Sequence, residues 1–201
     1  MFSVPPLIRL LILANTAIFL AVAVFAPGMT AAFALWPAGS FAVAGLPGQV
    51  GFEPWQLLTY GFLHANLMHL FFNMFGLYMF GRDVELTIGS RQFALLYFAS
   101  ILTAGVTQFV VISAPAVTMP YPTVGASGGV FGVLLAFAVL YPRRTVTLTF
   151  PPVPMPAWLF VTLYALAELY QGVTGTASGV AHFAHLGGMA GAWLVLRRRR
   201  R

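Results

Sequence analysis

A small set of polar side chains lies within or beside the long apolar stretches of this sequence. They are His64, Asn66, His69, Asn73, Ser127, Glu168, His182 and His185. Polar groups in a hydrocarbon layer are costly, so they are candidates for function by default. A serine activated by a histidine base is a nucleophile, and imidazole or amide N–H groups can stabilise a developing negative charge. The types of residue present are therefore those of a serine hydrolase.

The candidate nucleophile is Ser127, in the segment Gly125-Ala126-Ser127-Gly128-Gly129. The pattern GxSxG also marks the nucleophile elbow of soluble hydrolases, but that elbow requires a preceding strand, which this apolar context does not predict. Small neighbours would expose the hydroxyl. They would equally serve helix packing, since glycine and serine line helix contacts in membranes. Taken alone, the motif favours packing.

The candidate base is His185, in Ala184-His185-Leu186-Gly187-Gly188. A histidine base must come within about 2.6–3.2 Å of the serine oxygen. Two residues on different helices meet at that distance only if the backbones nearly touch, and glycine on both helices permits this. A lone histidine would be read as an interhelical hydrogen-bonding group, but a glycine-flanked histidine and serine together favour catalysis.

His69 and Asn73 are the candidate oxyanion donors. They are four residues apart, so they share one face of a helix. Both side chains can donate hydrogen bonds, as an oxyanion site requires. Hydrogen bonding between helices explains the pair equally well at this stage.

The elements that must position these residues are membrane helices. The chain has 201 residues, of which 60% are hydrophobic and 7% charged, whereas soluble domains carry roughly 25% charged residues. Crossing the hydrocarbon core takes about 20 apolar residues. The sequence predicts an all-α membrane protein, a single transmembrane domain over residues 1–201, with an interfacial loop at 26–56. Its six predicted transmembrane helices are 7–25, 63–80, 93–112, 123–141, 156–171 and 178–196.

The arginines predict the orientation. All ten basic residues are arginine, five of them in the tail 197–201. If the six helices alternate in direction, every arginine falls on one side, which the positive-inside rule makes cytoplasmic, together with both termini. Ser127, His69 and His185 then lie at similar depths near the outer side. The arginines form no continuous basic face, so nucleic-acid binding is not expected.

Four motifs together resemble the rhomboid intramembrane serine proteases, over about Trp55 to Ala192. They are His64-Ala-Asn-Leu-Met-His69-Leu-Phe-Phe-Asn73-Met, Phe80-Gly81-Arg82-Asp83-Val84-Glu85 with Gly89, Gly125-Ala-Ser127-Gly, and Ala184-His185-Leu-Gly-Gly188. They occur in the family's order, each on the corresponding predicted helix. Each motif is unspecific alone, and the four in order are highly specific.

The resemblance implies a six-helix rhomboid-like bundle with a serine–histidine dyad. Ser127 would be the nucleophile and His185 the general base, with no aspartate as third member, and the roles of Glu168 and His182 stay open. The Ser127 backbone N–H, His69 and Asn73 would hold the oxyanion. Water would reach the site from outside, with the fifth helix and the loop 172–177 as gate and cap. Neither a metal nor another cofactor is expected.

The chain departs from the family pattern at three positions. Gln56 follows Trp55 where the family often has arginine, which leaves the polar anchoring of the first loop open. Phe131 stands where an aromatic hydroxyl is common beneath the histidine. Ala192 replaces a usual glycine, which predicts slightly looser packing of the sixth helix.

The resulting prediction is an intramembrane serine endopeptidase that cleaves transmembrane segments near the outer side of the bilayer. Its partners would be single-span membrane proteins and the lipid bilayer, in the cytoplasmic membrane of a bacterium. One alternative is a non-catalytic rhomboid-like binder of membrane proteins. Another is a small polytopic transporter, although the predicted inner half is almost wholly apolar. A metalloprotease is disfavoured because the sequence has no His-Glu-x-x-His motif.

Overall fold

The structure, a computed structural model, describes residues 4–25, 28–43, 48–115, 117, 121–147, 152–176 and 179–199. These residues are mostly helical. The helices are α1 (Pro6–Phe25), α2 (Met29–Phe33), α3 (Gln56–Thr59), α4 (Leu67–Ile88), α5 (Ser90–Ile112), α6 (Ser127–Leu140), α7 (Ala157–Thr174) and α8 (His182–Arg199), and a 3₁₀ turn spans Tyr60–Phe62. Within the described part, six helices have 14 or more residues. They correspond in order to the six predicted helices.

Two short hairpins correct the predicted wholly helical chain. β1 (Ser40–Ala42) pairs antiparallel with β2 (Gln49–Gly51), and β3 (Thr145–Thr147) with β4 (Pro154–Pro156). Both hairpins lie in connections between helices. The sequence does not predict them, because strands of three residues are too short to show a period of two.

α4 differs most from its predicted bounds. It begins at Leu67 and continues to Ile88, whereas the sequence predicts 63–80. The buried face of Leu70, Met74 and Leu77 continues through Gly81 and Val84, so packing maintains the helix beyond its apolar part. The predicted charged loop shrinks to Gly89, whose φ of 80° separates α4 from α5.

Glu85 explains why α4 extends so far. Its carboxylate, 2% exposed, accepts hydrogen bonds from the backbone N–H groups of Leu7 (3.0 Å) and Ile8 (2.8 Å), and from the Ser90 hydroxyl (2.6 Å). The first N–H groups of a helix have no acceptor within that helix, and a negative charge is favourable there. Glu85 therefore caps α1 from a neighbouring helix.

Contacts at the two ends of the bundle show that α4 and α6 run in the same direction. Near their carboxyl ends, Arg144 Nη1 lies 2.6 Å from Asp83 Oδ2, and the Tyr141 hydroxyl donates to the Asp83 carbonyl oxygen (3.1 Å). At the opposite end, the backbones of Leu35 and Thr123 exchange hydrogen bonds of 3.0 and 2.9 Å. The first loop thus closes over the amino end of α6.

Gln56 anchors that first loop. It is 1% exposed. Its Oε1 accepts from the Trp36 backbone N–H (3.2 Å), and its Nε2 donates to the carbonyl oxygens of Gly51 (3.1 Å) and Ala32 (3.3 Å). A neutral amide therefore supplies the polar anchoring that the sequence comparison leaves open at this position.

Large apolar side chains face outward along the helices. Leu10 and Leu13 of α1 and Phe72 of α4 are each 61% exposed. Extended exposed apolar surfaces are rare on soluble monomers and mark contact with a membrane or another protein. Two helical segments in the described part, Pro6–Val24 and Ser90–Ile112, are long and apolar enough to cross a bilayer by length and composition.

Candidate active site

Ser127 is the first residue of α6, four residues later than the predicted start of that helix. Gly125, with a φ of 134°, turns the chain into the helix, and Ala126 is its N-cap. The backbone N–H groups at a helix start lack acceptors within the helix and form the positive end of its dipole. The Ser127 hydroxyl is thus held beside free N–H donors.

His185 lies next to Ser127. Its Nε2 is 2.9 Å from Ser127 Oγ. Because α8 begins at His182 rather than at the predicted residue 178, which lies outside the described residues, His185 is one turn into the helix. The distance is within the range for a general base and a serine hydroxyl.

Glycine permits this approach between α6 and α8, as the flanking residues predict. A β-carbon at Gly188 would overlap the carbonyl group of Gly128. At Gly132, one would overlap the Ser100 hydroxyl and come within 2.9 Å of the Gly188 carbonyl oxygen. Ala192, one turn after Gly188, is fully buried. The helices are therefore in backbone contact directly beside the serine–histidine pair.

Phe131 forms the floor of the site. Its ring is stacked on the His185 ring, with centroids 4.0 Å apart and planes 5° from parallel. It also contacts Tyr164 of α7, with a centroid separation of 4.9 Å. A phenyl ring is thus sufficient for the stacking, and the hydroxyl common at this position in the family is not needed for it.

Glu168 of α7 lies on the far side of the His185 ring. Its Oε2 is 2.8 Å from His185 Nδ1 and 2.6 Å from His182 Nδ1, and the residue is 4% exposed. The sequence predicts no aspartate partner for His185 and leaves the role of Glu168 open, and the structure places the Glu168 carboxylate beside the histidine. The available signal was an isolated carboxylate in the apolar segment 156–171, which marks a candidate functional residue but not its partner.

His69 faces the same space as Ser127. A β-carbon at Gly125 would lie 2.7 Å from His69 Cε1 and Nε2, and 3.7 Å from Ser127 Oγ. Asn73 is buried one turn further along α4, and its Nδ2 donates to the His69 carbonyl oxygen (2.9 Å). The structure thus brings His69 to the site and places Asn73 below it.

The two remaining polar candidates lie outside the body of α4. Asn66 is its N-cap, with Oδ1 accepting from the His69 backbone N–H (2.8 Å). His64 precedes the helix, and its ring lies edge-on to His69 with a centroid separation of 5.1 Å. Asn66 thus stabilises the start of α4 as its N-cap.

The cluster of Glu168, His182 and His185 also has donors suited to a transition metal, one atom from each residue lying within 4.8 Å of the others. Imidazole and carboxylate are common ligands of such ions. The same atoms already form hydrogen bonds that continue to Ser127. The arrangement can also transfer a proton from a serine.

Comparison with known proteins agrees with the geometry. The family model of the rhomboid domain matches residues 51–200. The chain belongs to the rhomboid family. This confirms the resemblance carried by the four sequence motifs. Members of the family are integral membrane proteins, and this chain is therefore one as well.

Three relatives illustrate the match. Rhomboid protease GluP of Bacillus subtilis is 31% identical over 145 residues, 71% of this chain and 25% of that protein. RHOMBOID-like protein 12, mitochondrial, of Arabidopsis thaliana is 31% identical over 159 residues, 72% of this chain and 47% of that protein. Putative rhomboid protease YdcA of Bacillus subtilis is 30% identical over 145 residues, which are 71% of this chain and 66% of that protein. The chain spans less than half the length of the first two.

Proposed function

We propose that this rhomboid-family chain is a serine endopeptidase that cleaves transmembrane segments of other membrane proteins within the bilayer. The observation that carries the proposal is the 2.9 Å contact between Ser127 Oγ and His185 Nε2, at the start of a helix. Ser127 is the nucleophile and His185 the general base. GluP and YdcA, two of its relatives, are named as a rhomboid protease and a putative one.

The reaction follows from these two residues. Ser127 Oγ attacks the carbonyl carbon of the scissile peptide bond while its proton passes to His185 Nε2. When the tetrahedral intermediate collapses, the C–N bond breaks and the same proton passes to the departing amine. Water then attacks the acyl carbon and gives a proton to Nε2. When this second intermediate collapses, the C–Oγ bond breaks, the proton passes from Nε2 to Ser127 Oγ, and the acid product leaves.

The negative charge on the tetrahedral intermediate needs donors. The Ser127 backbone N–H is one, because the start of α6 leaves it without a helical acceptor. The His69 ring, held against Gly125, and the Asn73 amide are the others. Asn73 has a second amide hydrogen besides the one directed at the His69 carbonyl. Such preorganised donors are commonly the largest contribution to catalysis.

The same proposal includes the arrangement in the membrane. The six long helices cross the bilayer, both termini are cytoplasmic, and the site opens near the outer side. α7 is the entry gate, since only Ala157, Val161 and Glu168 of its 18 residues are buried. α7 also continues to Thr174, so the predicted cap loop 172–177 is partly helical. The membrane is the cytoplasmic membrane of a bacterium.

The substrates are single-span membrane proteins whose helix unwinds near its outer end. A helical peptide bond is shielded by its own hydrogen bonds, and the glycine-lined crossing of α6 and α8 leaves little lateral room at Ser127. Proline or glycine near the cleavage point therefore promotes cutting. A small residue beside the scissile bond fits the available space.

The test uses the purified full chain, a fluorophosphonate probe and a panel of single-span proteins in detergent. Wild type and the control Ser40→Ala are expected to react with the probe and to cut. Ser127→Ala should do neither, since general-base catalysis of serine attack requires its hydroxyl. EDTA should leave the rate unchanged. Folded wild type that neither reacts nor cuts would instead favour a non-catalytic rhomboid-like binder, and loss of activity in EDTA would exclude the metal-free mechanism.

A further inference from the structure

Glu168 is exceptional on α7. Most large side chains of that helix are exposed, among them Leu166 (57%), Tyr170 (65%) and Val173 (72%), whereas Glu168 is 4% exposed. Burying a carboxylate is costly unless it is paired and hydrogen-bonded. A helix with so little buried surface would not place its one acidic side chain inward without compensation. That compensation comes from α8.

Both partners of Glu168 are histidines, and both use Nδ1. His185 Nδ1 lies 2.8 Å and His182 Nδ1 2.6 Å from the same oxygen, Oε2. A carboxylate oxygen only accepts, so each Nδ1 carries the proton and donates. With its proton on Nδ1, a neutral His185 ring presents a lone pair at Nε2, toward the Ser127 hydroxyl 2.9 Å away. This is the tautomer that general-base catalysis requires.

We propose that Glu168 is the positioning residue of the site, making it a Ser127–His185–Glu168 triad rather than a dyad. The inference rests on the proposed function. Glu168 selects the productive tautomer of His185, fixes the ring in the plane set by Phe131, and offsets the positive charge that the ring acquires when it takes the serine proton. Its action on the reaction passes entirely through His185.

His182 has a supporting part in this arrangement. As the first residue of α8 it reaches the same carboxylate oxygen from one turn before His185. Two donors on one oxygen hold the carboxylate between them more firmly than one. His182 therefore orients Glu168, and Glu168 orients His185. Removal of His182 should lower the rate by less than removal of Glu168.

The same hydrogen bonds could instead serve only to hold α7 against α8. If Glu168 only tied α7 to α8, its loss would loosen the entry side of the site and alter substrate binding or stability. A positioning role alters the reactivity of Ser127 itself. The rate at which a small fluorophosphonate probe labels Ser127 separates the two roles. The probe is not a transmembrane helix, so its access to Ser127 does not depend on the entry route past α7.

The experiment compares wild type with Glu168→Gln, and with Glu53→Gln as a control at an exposed acid. The amide of Glu168→Gln keeps the shape, removes the charge and favours the unproductive tautomer, a change that costs up to about 10⁴-fold in soluble triads. We expect kcat and the labelling rate to fall together by roughly 10-fold or more, with KM within about twofold. Glu53→Gln should match wild type. Thermal unfolding of each variant shows that it is folded before its rates are compared with those of wild type.

Glu168→Asp is the second variant, in case the amide variant does not fold. It keeps the charge but is one methylene shorter, so labelling should again be slow. Labelling at the wild-type rate by either folded variant would overturn the inference while leaving the proposed function intact, because wild type would still cut through Ser127. A wild type that is itself unreactive would overturn the proposed function instead. Activity that zinc restores after chelation would make the cluster a metal site and overturn the triad.

Discussion

The two histidines near the serine differ in what each can reach. His185 Nε2 contacts Ser127 Oγ at 2.9 Å, whereas His182 Nδ1 contacts Glu168. The difference arises from the helix crossing, where Gly188 lets α6 approach one turn beyond His185. Of these two histidines, His185 is therefore the one placed to accept the proton of the serine hydroxyl directly.

Alanine variants of the two histidines should behave differently. General-base assistance is commonly worth about 10²–10⁴-fold, so His185→Ala should reduce cleavage to background. His182→Ala should retain a readily measured rate and the same cleavage site, because the base and the nucleophile remain. The measurement is the initial cleavage rate of each variant in one detergent, with folding checked by thermal unfolding. An active His185→Ala beside an inactive His182→Ala would contradict the proposed roles.

The sequence predicts Ser127 and His185 as a pair, because glycine flanks both and the two predicted helices enter from the same side, and the structure places the two side chains in contact. The sequence does not predict which residues Glu168 contacts. That residue has no motif around it, and its distance from His185 depends on how far α7 tilts toward α8. Side-chain pairing across helices is a tertiary property that a helical period does not encode.

At the scale of the element, the cap that Glu85 forms on α1 can be tested by stability. Its loss leaves the N–H groups of Leu7 and Ile8 without an acceptor, and hydrogen bonds to charged groups are worth about 1.5–3 kcal/mol each. Glu85→Ala should therefore lower the unfolding temperature in detergent. The matched control is Glu53→Ala, at an exposed acid, which should leave the temperature unchanged. Equal stability of the two variants would show that the cap is not needed.

The order of the long helices in the described residues follows the order of the apolar runs in the sequence, but the helix ends follow poorly. α4 extends past charged residues because Val84 and Glu85 remain buried there. α6 starts late because Gly125, whose N–H donates to the Tyr60 carbonyl oxygen (3.0 Å), turns the chain first. α8 starts late, and its first residue is a histidine bonded to another helix. In each case a contact distant in sequence decides the boundary, and such contacts are not visible in local composition.

At the scale of the whole molecule, the arginines that the structure describes and the candidate site lie at opposite ends of the bundle. Arg144 pairs with Asp83 at the carboxyl end of α4. Ser127 begins α6 at the other end, next to the loop tied by Leu35 and Thr123. Positive charge is retained on the cytoplasmic side. In the proposed arrangement, the side of the membrane on which the arginines lie therefore determines the side from which the candidate site opens.

Single cysteines can test this orientation, because the chain has none of its own. Ser40→Cys places an exposed thiol in β1, at the end of the bundle where α6 begins, and Thr145→Cys places one in β3, at the arginine end. A maleimide that does not cross membranes should label Ser40→Cys in intact bacterial spheroplasts. It should label Thr145→Cys only after the membrane is permeabilised, and the cysteine-free parent under neither condition.

The reversed pattern would place the arginines outside and contradict the positive-inside orientation. Labelling of both thiols in intact spheroplasts would contradict the alternation of the six helices, because β1 and β3 are separated by the three crossings of α4, α5 and α6 in the proposed arrangement. The expected pattern ties the chemistry to one face of the membrane. The hydroxyl of Ser127 lies at the end labelled through Ser40→Cys, so with that pattern of labelling water and substrate would reach it from outside the cytoplasm.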